Sequence, residues 1–303
     1  MPHIVTAACR RLATAAVLAF MGWAGAVPAS AQSNDAVARG AYLVRAGGCI
    51  ACHTVPNGGA PLAGGRALAT PFGTYYSPNI TPDKETGIGA WSDADFVRAL
   101  RDGVSPDGGH YFPVFPFTSY TRMREDDMLA IKAWLFSQPA VRQPAREHDV
   151  GAPFGWRWTM WFWKLLFFEP GELQPQPDRS DVWNRGAYLV EALAHCGECH
   201  TPRNLFGATD RSLYLAGTTE GPDDELVPNI TPHSETGIGD WSRGDIVILL
   251  RDGLKPDFDD VQGSMAEAIE DGLRHLDDAD LQAIAEFVAG VPAIDNRIES
   301  KRR

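Results

Sequence analysis

Two short stretches of this 303-residue sequence, Cys49-Ile50-Ala51-Cys52-His53 and Cys196-Gly197-Glu198-Cys199-His200, share the pattern C-x-x-C-H, and a threonine follows each of them. Two thiols separated by two residues lie on one side of a helical turn, where they can add to the two vinyl groups of a haem. The next residue then faces the iron. We therefore predict two covalently bound haem c groups, attached at Cys49, Cys52, Cys196 and Cys199, with His53 and His200 as proximal iron ligands. A zinc site or a disulfide pair is the alternative use of these cysteines.

The fifth cysteine of the chain, Cys9, lies in an N-terminal segment that is typical of a secretory signal peptide. Arg10 and Arg11 supply the positive charge, an uncharged alanine-rich stretch follows, and residues 29–31 form a small-x-small cleavage site. We expect residues 1–31 to be removed after Ala31 and the mature chain to reside in the periplasm. An uncleaved N-terminal anchor is the alternative. An exported chain meets an oxidising compartment, where four free thiols need a use.

The sequence around the first motif recurs around the second. The repeated segments are Gly40-Ala41-Tyr42-Leu43-Val44 with Gly186-Ala187-Tyr188-Leu189-Val190, Pro78-Asn79-Ile80-Thr81-Pro82 with Pro228-Asn229-Ile230-Thr231-Pro232, Glu85-Thr86-Gly87-Ile88-Gly89 with Glu235-Thr236-Gly237-Ile238-Gly239, and Arg101-Asp102-Gly103 with Arg251-Asp252-Gly253. Repetition of this kind indicates two copies of one folding unit. We therefore predict two similar domains with one haem each.

Apolar residues at helical spacing predict an all-α fold. Ser92 and Ser242, each three residues before an aspartate, resemble capping boxes and predict the start of a short helix in each repeat. Longer helices are predicted over 35–48, 126–136, 181–195 and 278–289. The glycine- and proline-rich stretches between them are expected to wrap around the haem as loops. The predicted divisions are a signal peptide at 1–31, a first domain at 32–140, an interdomain linker at 141–180 and a second domain at 181–303.

These motifs resemble those of the cytochrome c subunits of bacterial periplasmic alcohol, gluconate and aldehyde dehydrogenases. The resemblance covers nearly the whole mature chain and includes the stretch Phe115-Pro116-Phe117-Thr118-Ser119-Tyr120. It implies two tandem class I-type cytochrome c domains that carry single electrons. It also implies a periplasmic dehydrogenase catalytic subunit as the electron donor and a further acceptor towards the respiratory chain. On this interpretation the chain is an electron-transfer protein rather than an enzyme.

Methionine is the usual distal ligand of an electron-transfer haem. Met265 lies 24 residues after Trp241, where a distal ligand is expected, and we predict that it binds the second iron. The corresponding residue of the first repeat is Phe115, which cannot bind iron. Met123 is the nearest substitute, although it also suits a packing role, and His110 is a further candidate. A first haem without a methionine ligand would instead suit a peroxidase-like dihaem enzyme.

Backbone carbonyls orient proximal histidines by accepting a hydrogen bond from the second ring nitrogen. We expect the loops at Pro56 and Pro202, shortly after each motif, to supply these carbonyls. His195, which directly precedes the second motif, is expected at a surface or edge.

The predicted linker contains an unusually aromatic segment, 156–168. Such a segment either packs between the two domains or docks on a membrane surface or a partner protein, since tryptophan favours such boundaries. The chain as a whole has a formal net charge of −12. This acidity excludes a nucleic-acid partner, which would require a basic face.

Overall fold

The computed structural model describes residues 29–299. The predicted signal peptide therefore lies almost entirely outside the described residues. The first described helix begins at Ala29. The longer helices are α1 (Ala29–Ala46), α3 (Asp93–Asp102), α5 (Glu125–Ser137), α6 (Thr159–Phe167), α7 (Asp181–Ala187), α9 (Arg243–Asp252), α10 (Gly263–Asp271) and α11 (Asp278–Val288). The short ones are α2 (Cys49–His53), α4 (Phe117–Tyr120) and α8 (Gly197–His200), and α7 continues into a π-helical segment, Tyr188–Leu193.

The fold is mostly helical, as predicted, but it also contains a small antiparallel sheet. Strands β1 (Ala67–Thr70) and β2 (Gly73–Tyr76) form a hairpin, and β3 (Asp149–Val150) pairs with β2. The hairpin lies in the glycine- and proline-rich stretch between the first C-x-x-C-H motif and Ser92, which we expected to form a loop. The sheet joins this loop to the beginning of the predicted linker, so the strictly all-α prediction was wrong here.

Both predicted capping boxes are present. The Ser92 hydroxyl accepts a hydrogen bond from the Asp95 amide at the start of α3, and the Asp95 carboxylate accepts one from the Ser92 amide. Ser242 and Asp245 make the same pair of bonds at the start of α9. These reciprocal bonds satisfy amide groups that the first turn of a helix leaves without partners.

Helix α1 packs against α5, and α7 packs against α11 in the same way. The two crossings have equivalent glycines, because a Cβ atom on Gly40 would overlap the Ala130 carbonyl and one on Gly186 would overlap the Ala283 carbonyl. Glycine is thus required at both positions for the helices to approach this closely. The matching crossings explain why the Gly-Ala-Tyr-Leu-Val segment occurs twice. The domain boundaries at residues 140 and 180 stay a prediction.

The tyrosines of this repeated segment connect the two crossings reciprocally. The Tyr42 hydroxyl donates to Asp280 of α11 at 2.6 Å, and the Tyr188 hydroxyl donates to Asp127 of α5 at 2.6 Å. Each aspartate also binds an arginine of the helix that it packs on: Asp127 binds Arg39 and Asp280 binds Arg185. One repeat therefore completes the buried polar cluster of the other.

The aromatic segment folds as α6 and the turns that precede it. Met160 and Trp163 are buried, whereas the other large apolar side chains of this segment up to Leu166 are exposed. The hydrophobic core beneath Trp163 is a separate cluster that includes Tyr75, Phe112 and Phe117. Within residues 29–299, no helix has the length and apolar character needed to cross a membrane.

Candidate functional site

The first C-x-x-C-H motif forms helix α2. Gly48 precedes it with φ of 64°, a left-handed conformation that favours glycine, and the helix ends where Thr54 becomes extended. The His53 Nδ1 atom lies 2.7 Å from the Pro78 carbonyl oxygen. This hydrogen bond fixes the orientation of the ring and leaves Nε2 as the nitrogen available to an iron.

The second motif has the same local geometry. It ends α8 with His200, whose Nδ1 atom lies 2.9 Å from the Pro228 carbonyl oxygen. Our prediction that the loops at Pro56 and Pro202 supply these carbonyls was wrong. The carbonyls come instead from the first residue of each repeated P-N-I-T-P segment, which the chain folds back over the histidine.

The asparagine of each P-N-I-T-P segment explains how the segment is held in place. Asn79 accepts a hydrogen bond from the Thr81 amide and donates one to the Val141 carbonyl at 2.7 Å. Asn229 makes the equivalent bond to the Ile294 carbonyl at 2.8 Å. Both side chains are buried. The sequence repeat therefore preserves a side-chain clamp that positions the proline carbonyl.

Of the four cysteines that the structure describes, Cys49, Cys196 and Cys199 are partly buried and Cys52 is exposed. Burial raises the pKa of Cys49 and of Cys196 to about 12, so both remain protonated at neutral pH. Burial also lowers the pKa values of His53 and His200, against the opposing effect of their carbonyl bonds. Neutral imidazoles with one free ring nitrogen are suited to bind a metal.

The two motifs lie close to each other across the contact between the repeats. Burial raises the pKa of Cys199 to about 11, and smaller contributions come from Glu198 and from Cys52 of the other motif. The Tyr120 hydroxyl donates to the Gly47 carbonyl at 2.8 Å. The ring of Tyr120 also packs edge-on against His195, with the centroids 5.5 Å apart. His195, which we expected at a surface or edge, is therefore half-buried at the contact between the motifs.

A buried carboxylate joins the second motif to the first repeat. Glu198 accepts hydrogen bonds from the hydroxyls of Thr118 at 2.7 Å and Ser119 at 2.8 Å, and it forms an ion pair with Arg203. Burial raises the pKa of Glu198, but Arg203 and the Thr118 hydroxyl lower it more, so the carboxyl is ionised. The Phe115–Tyr120 stretch contains no sequence pattern that predicts this role. Glu198 occupies one of the two variable positions of the C-x-x-C-H motif, so its residue type alone did not predict a contact with the first repeat.

Met265 lies in the first turn of α10. The Glu225 carboxylate accepts a hydrogen bond from the Ser264 amide at 3.1 Å and thereby caps this helix. Glu267, one turn further on, forms an ion pair with Arg66, which also donates to the Ala51 carbonyl inside the first motif at 2.8 Å. The segment that carries Met265 is thus held against the motif of the other repeat.

The first repeat places its candidate distal residues differently. Met123 is fully buried in the main core, and Phe115 packs edge-on against Tyr120 with the centroids 5.7 Å apart. The His110 Nδ1 atom lies 3.0 Å from the Lys164 Nζ atom. The structure thus uses one nitrogen of His110 in a contact with α6 and buries Met123 completely.

Comparisons with known proteins agree with this site. The sequence profile of the cytochrome c family matches residues 37–139. A diheme cytochrome c-type protein of Cereibacter sphaeroides is 43% identical over 269 residues, which cover 85% of this chain and 86% of that protein. The gluconate 2-dehydrogenase cytochrome c subunit of Pantoea cypripedii is 41% identical over 276 residues, 87% of this chain and 62% of that subunit. The fructose dehydrogenase cytochrome subunit of Gluconobacter japonicus is 40% identical over 272 residues, 88% of this chain and 54% of that subunit.

These matches define the chain as a c-type cytochrome. It belongs to the family of dihaem cytochromes c and dehydrogenase cytochrome c subunits, and it binds haem c covalently. The chain spans only about three-fifths or less of the two dehydrogenase subunits. These three relatives do not favour the peroxidase-like alternative, since each of the three is named as a cytochrome or a cytochrome subunit. Two cysteines one helical turn apart and a neutral histidine oriented by a backbone carbonyl, present in each motif, fit this cofactor.

Proposed function

We propose that this protein is a periplasmic dihaem cytochrome c that accepts single electrons from a dehydrogenase catalytic subunit and passes them towards the respiratory chain. The observation that carries the proposal is the presence of two C-x-x-C-H motifs with one proximal geometry, including the proline carbonyl bonds of 2.7 and 2.9 Å. Each bound haem iron supplies one-electron exchange between its ferric and ferrous states. The chain's own residues hold, orient and desolvate that iron.

The contact between the motifs supports electron transfer from one haem to the other. Tyr120, His195 and Gly47 connect the residues just before the two motifs, and Glu198 is bonded to Thr118 and Ser119 of the first repeat. These contacts fix the relative position of the two attachment helices. A fixed, protein-filled separation is what repeated electron exchange without dissociation requires.

We assign Met265 as the distal ligand of the second haem and Met123 as that of the first. Met265 is supported by its place on a helix that Glu225 and Arg66 hold from both sides. Met123 is supported by its complete burial and by its place eight residues after the altered position Phe115. Methionine ligation raises the reduction potential relative to histidine, which suits a carrier in the respiratory chain.

The proposed donor is supported by the relatives, two of which are named as the cytochrome subunits of a gluconate dehydrogenase and of a fructose dehydrogenase. The chain carries a formal charge of −12. An acidic carrier associates fastest with a partner that presents a basic patch, and this attraction weakens as salt screens it. Export to the periplasm is proposed on the signal peptide at 1–31. The mass of the purified mature protein, which should begin at Gln32, tests it.

Haem content and ligation test the proposed function directly. The purified protein should contain two haems per chain, and replacing either the Cys49–Cys52 pair or the Cys196–Cys199 pair with alanines should leave one. A chain with bound zinc or disulfides in place of haem would refute the assignment.

The optical spectrum tests the distal ligands. The ferric protein should show the weak far-red band of a sulfur–iron bond, and Met265→Ala and Met123→Ala should each remove part of it. Met128→Leu is the matched control, since Met128 is equally buried and should leave the band unchanged. Carbon monoxide binding or peroxide turnover by the unaltered protein would contradict the carrier role.

A further inference from the structure

The second repeat contains one residue more than the first just before its C-x-x-C-H motif. Five residues separate Val190 from Cys196, whereas four separate the equivalent valine and cysteine of the first repeat. The helix accommodates the additional residue as the π-helical segment Tyr188–Leu193. Segments of this kind occur frequently at functional sites. This one carries Glu191, and the corresponding residue of the first repeat is Arg45, so the carboxylate belongs to the second repeat alone.

Glu191 lines two cavities of the structure. The first has a volume of about 320 Å³, and Gly197 and Glu198 of the second motif line it together with Tyr214. The ring of Tyr214 lies against the motif, because a Cβ atom on Gly197 would be only 2.5 Å from its Cε2 atom. The second cavity has a volume of about 370 Å³. The Glu191 side chain and the second motif therefore share the first cavity.

Every arginine that lines these cavities is paired with a carboxylate other than Glu191. The pairs are Arg203 with Glu198, Arg211 and Arg122 with Glu169, Arg124 with Asp127, and Arg185 with Asp280. The other titratable groups along the cavity walls are Glu172, Tyr188 and Tyr214. Within the part of the chain that the structure describes, no side chain forms a hydrogen bond or an ion pair with Glu191. Its negative charge is thus the one that these walls leave without a close partner.

The surroundings of Glu191 favour exchange of a proton. Burial raises the pKa of its carboxyl, and the charges of Arg122 and Arg211 oppose this effect only in part. The Tyr214 hydroxyl, in the same cavity, is buried and has no hydrogen-bond partner among the described residues. Buried hydroxyls of this kind ordinarily bond to water. The cavity is therefore polar enough for a proton to pass between solvent and the carboxylate.

We propose that Glu191 binds a proton from solvent when the second haem is reduced and releases it when that haem is oxidised. Reduction lowers the positive charge at the iron by one, which increases the proton affinity of a nearby carboxylate, here by about 10-fold. The proton that converts the carboxylate to a carboxylic acid balances the charge of the electron. This inference rests on the proposed electron-transfer function and adds to it a proton site in the second repeat.

The test is a redox titration of both haems in the mature holoprotein, repeated from about pH 5 to about pH 8, where a glutamate with a raised pKa titrates. Glu191→Gln keeps the size and polarity of the side chain but cannot ionise. The matched control is Glu125→Gln, which removes an exposed carboxylate of α5 outside both cavities. Unchanged haem absorption in both variants shows that they fold.

In the unaltered protein and the control, one of the two potentials should fall as the pH rises, because an ionised Glu191 stabilises the ferric state. Glu191→Gln should remove most of this fall. The haem concerned should be the one whose potential Glu198→Gln also changes, since Glu198 lies within the second motif. A pH-indicator dye in weakly buffered solution should record proton uptake on reduction, and less uptake by the Glu191→Gln variant.

Three results would each overturn the proposal. They are potentials of the unaltered protein that do not change with pH, equal falls in both potentials, and a fall of the same size in the Glu191→Gln variant. The last would assign the proton to another group, such as a haem propionate. None of these results alters the haem content by which the proposed electron-transfer function is tested, so the two can fail separately.

Discussion

Replacing Tyr188 with phenylalanine tests the reciprocal contact between the repeats. The Tyr188 hydroxyl donates to Asp127 at 2.6 Å, and the Asp127 side chain is completely buried. A hydrogen bond to a charged group contributes about 1.5–3 kcal/mol. Because Arg124 still binds the same carboxylate oxygen at 3.1 Å, we expect the lower part of this range, about 2 kcal/mol of lost unfolding free energy.

The equivalent substitution Tyr42→Phe should cost less. Its partner Asp280 keeps two hydrogen bonds from Arg185, at 2.6 and 2.8 Å, and its side chain is 12% exposed, so water can replace the lost hydroxyl. We expect about 1 kcal/mol. Tyr111→Phe is the matched control, because the contacts of Tyr111 with Phe115 and Arg157 involve its ring, which phenylalanine keeps. Removing the Tyr111 hydroxyl should therefore lower the free energy of unfolding by less than about 0.5 kcal/mol.

The assay is denaturant unfolding of the ferric holoprotein at neutral pH, followed by circular dichroism and by haem absorption. The order of destabilisation should be Tyr188, then Tyr42, then Tyr111. A Tyr188→Phe variant as stable as the Tyr111 control would show that the buried Asp127 does not need this donor. A larger loss at Tyr42 than at Tyr188 would show that burial of the aspartate is not what sets the magnitude.

Three further changes have defined outcomes. Burial raises the pKa of Asp127, but hydrogen bonds from Tyr188 and Arg39 and the charge of Arg124 lower it more, so the pKa lies below its ordinary value. The ionised carboxylate therefore stabilises the fold above about pH 4, and this stabilisation is lost as the pH falls through the lowered pKa. Asp127→Asn should remove this part of an acid unfolding curve. Gly40→Ala should destabilise the fold by several kcal/mol in thermal unfolding, because its Cβ atom would overlap the Ala130 carbonyl, whereas Gly244→Ala, which has room, should be neutral or slightly stabilising. Glu198→Gln removes a buried negative charge beside the second motif, and a redox titration should show a higher potential for the haem attached there.

Much of the site could be predicted from local sequence, because its parts are local. The spacing of Cys49, Cys52 and His53 is set by one helical turn, and a capping box involves residues only three apart. The mostly helical fold and the relationship to cytochrome c followed from such patterns and from the repeat, and both are confirmed. Features of this kind can be predicted because the residues that form them are close together in the sequence.

The contacts that sequence reasoning missed are long-range. Tyr42 and Asp280 are 238 positions apart, and nothing in either residue's neighbours indicates the other. The carbonyl bound to His53 belongs to Pro78 rather than to the nearer Pro56, because the chain must first leave the motif and form a hairpin before it returns. Sequence distance was thus a poor guide to which proline faces the histidine.

The two repeats differ at the expected position of the distal ligand, which is Phe115 in the first repeat and Met265 in the second, and this difference is connected with the contact between the two C-x-x-C-H motifs. Each candidate distal segment touches the attachment motif of the other repeat: Thr118 and Ser119 bind Glu198, and Glu267 binds Arg66, which also reaches the Ala51 carbonyl. A change of distal ligand in one repeat therefore alters the surroundings of both motifs. In the first repeat, Phe115 packs against Tyr120, whose hydroxyl holds Gly47 and whose ring holds His195, so the aromatic residue at the expected ligand position supports the contact between the motifs. The departure from methionine at this position thus has a structural reason that is independent of which residue binds the first iron.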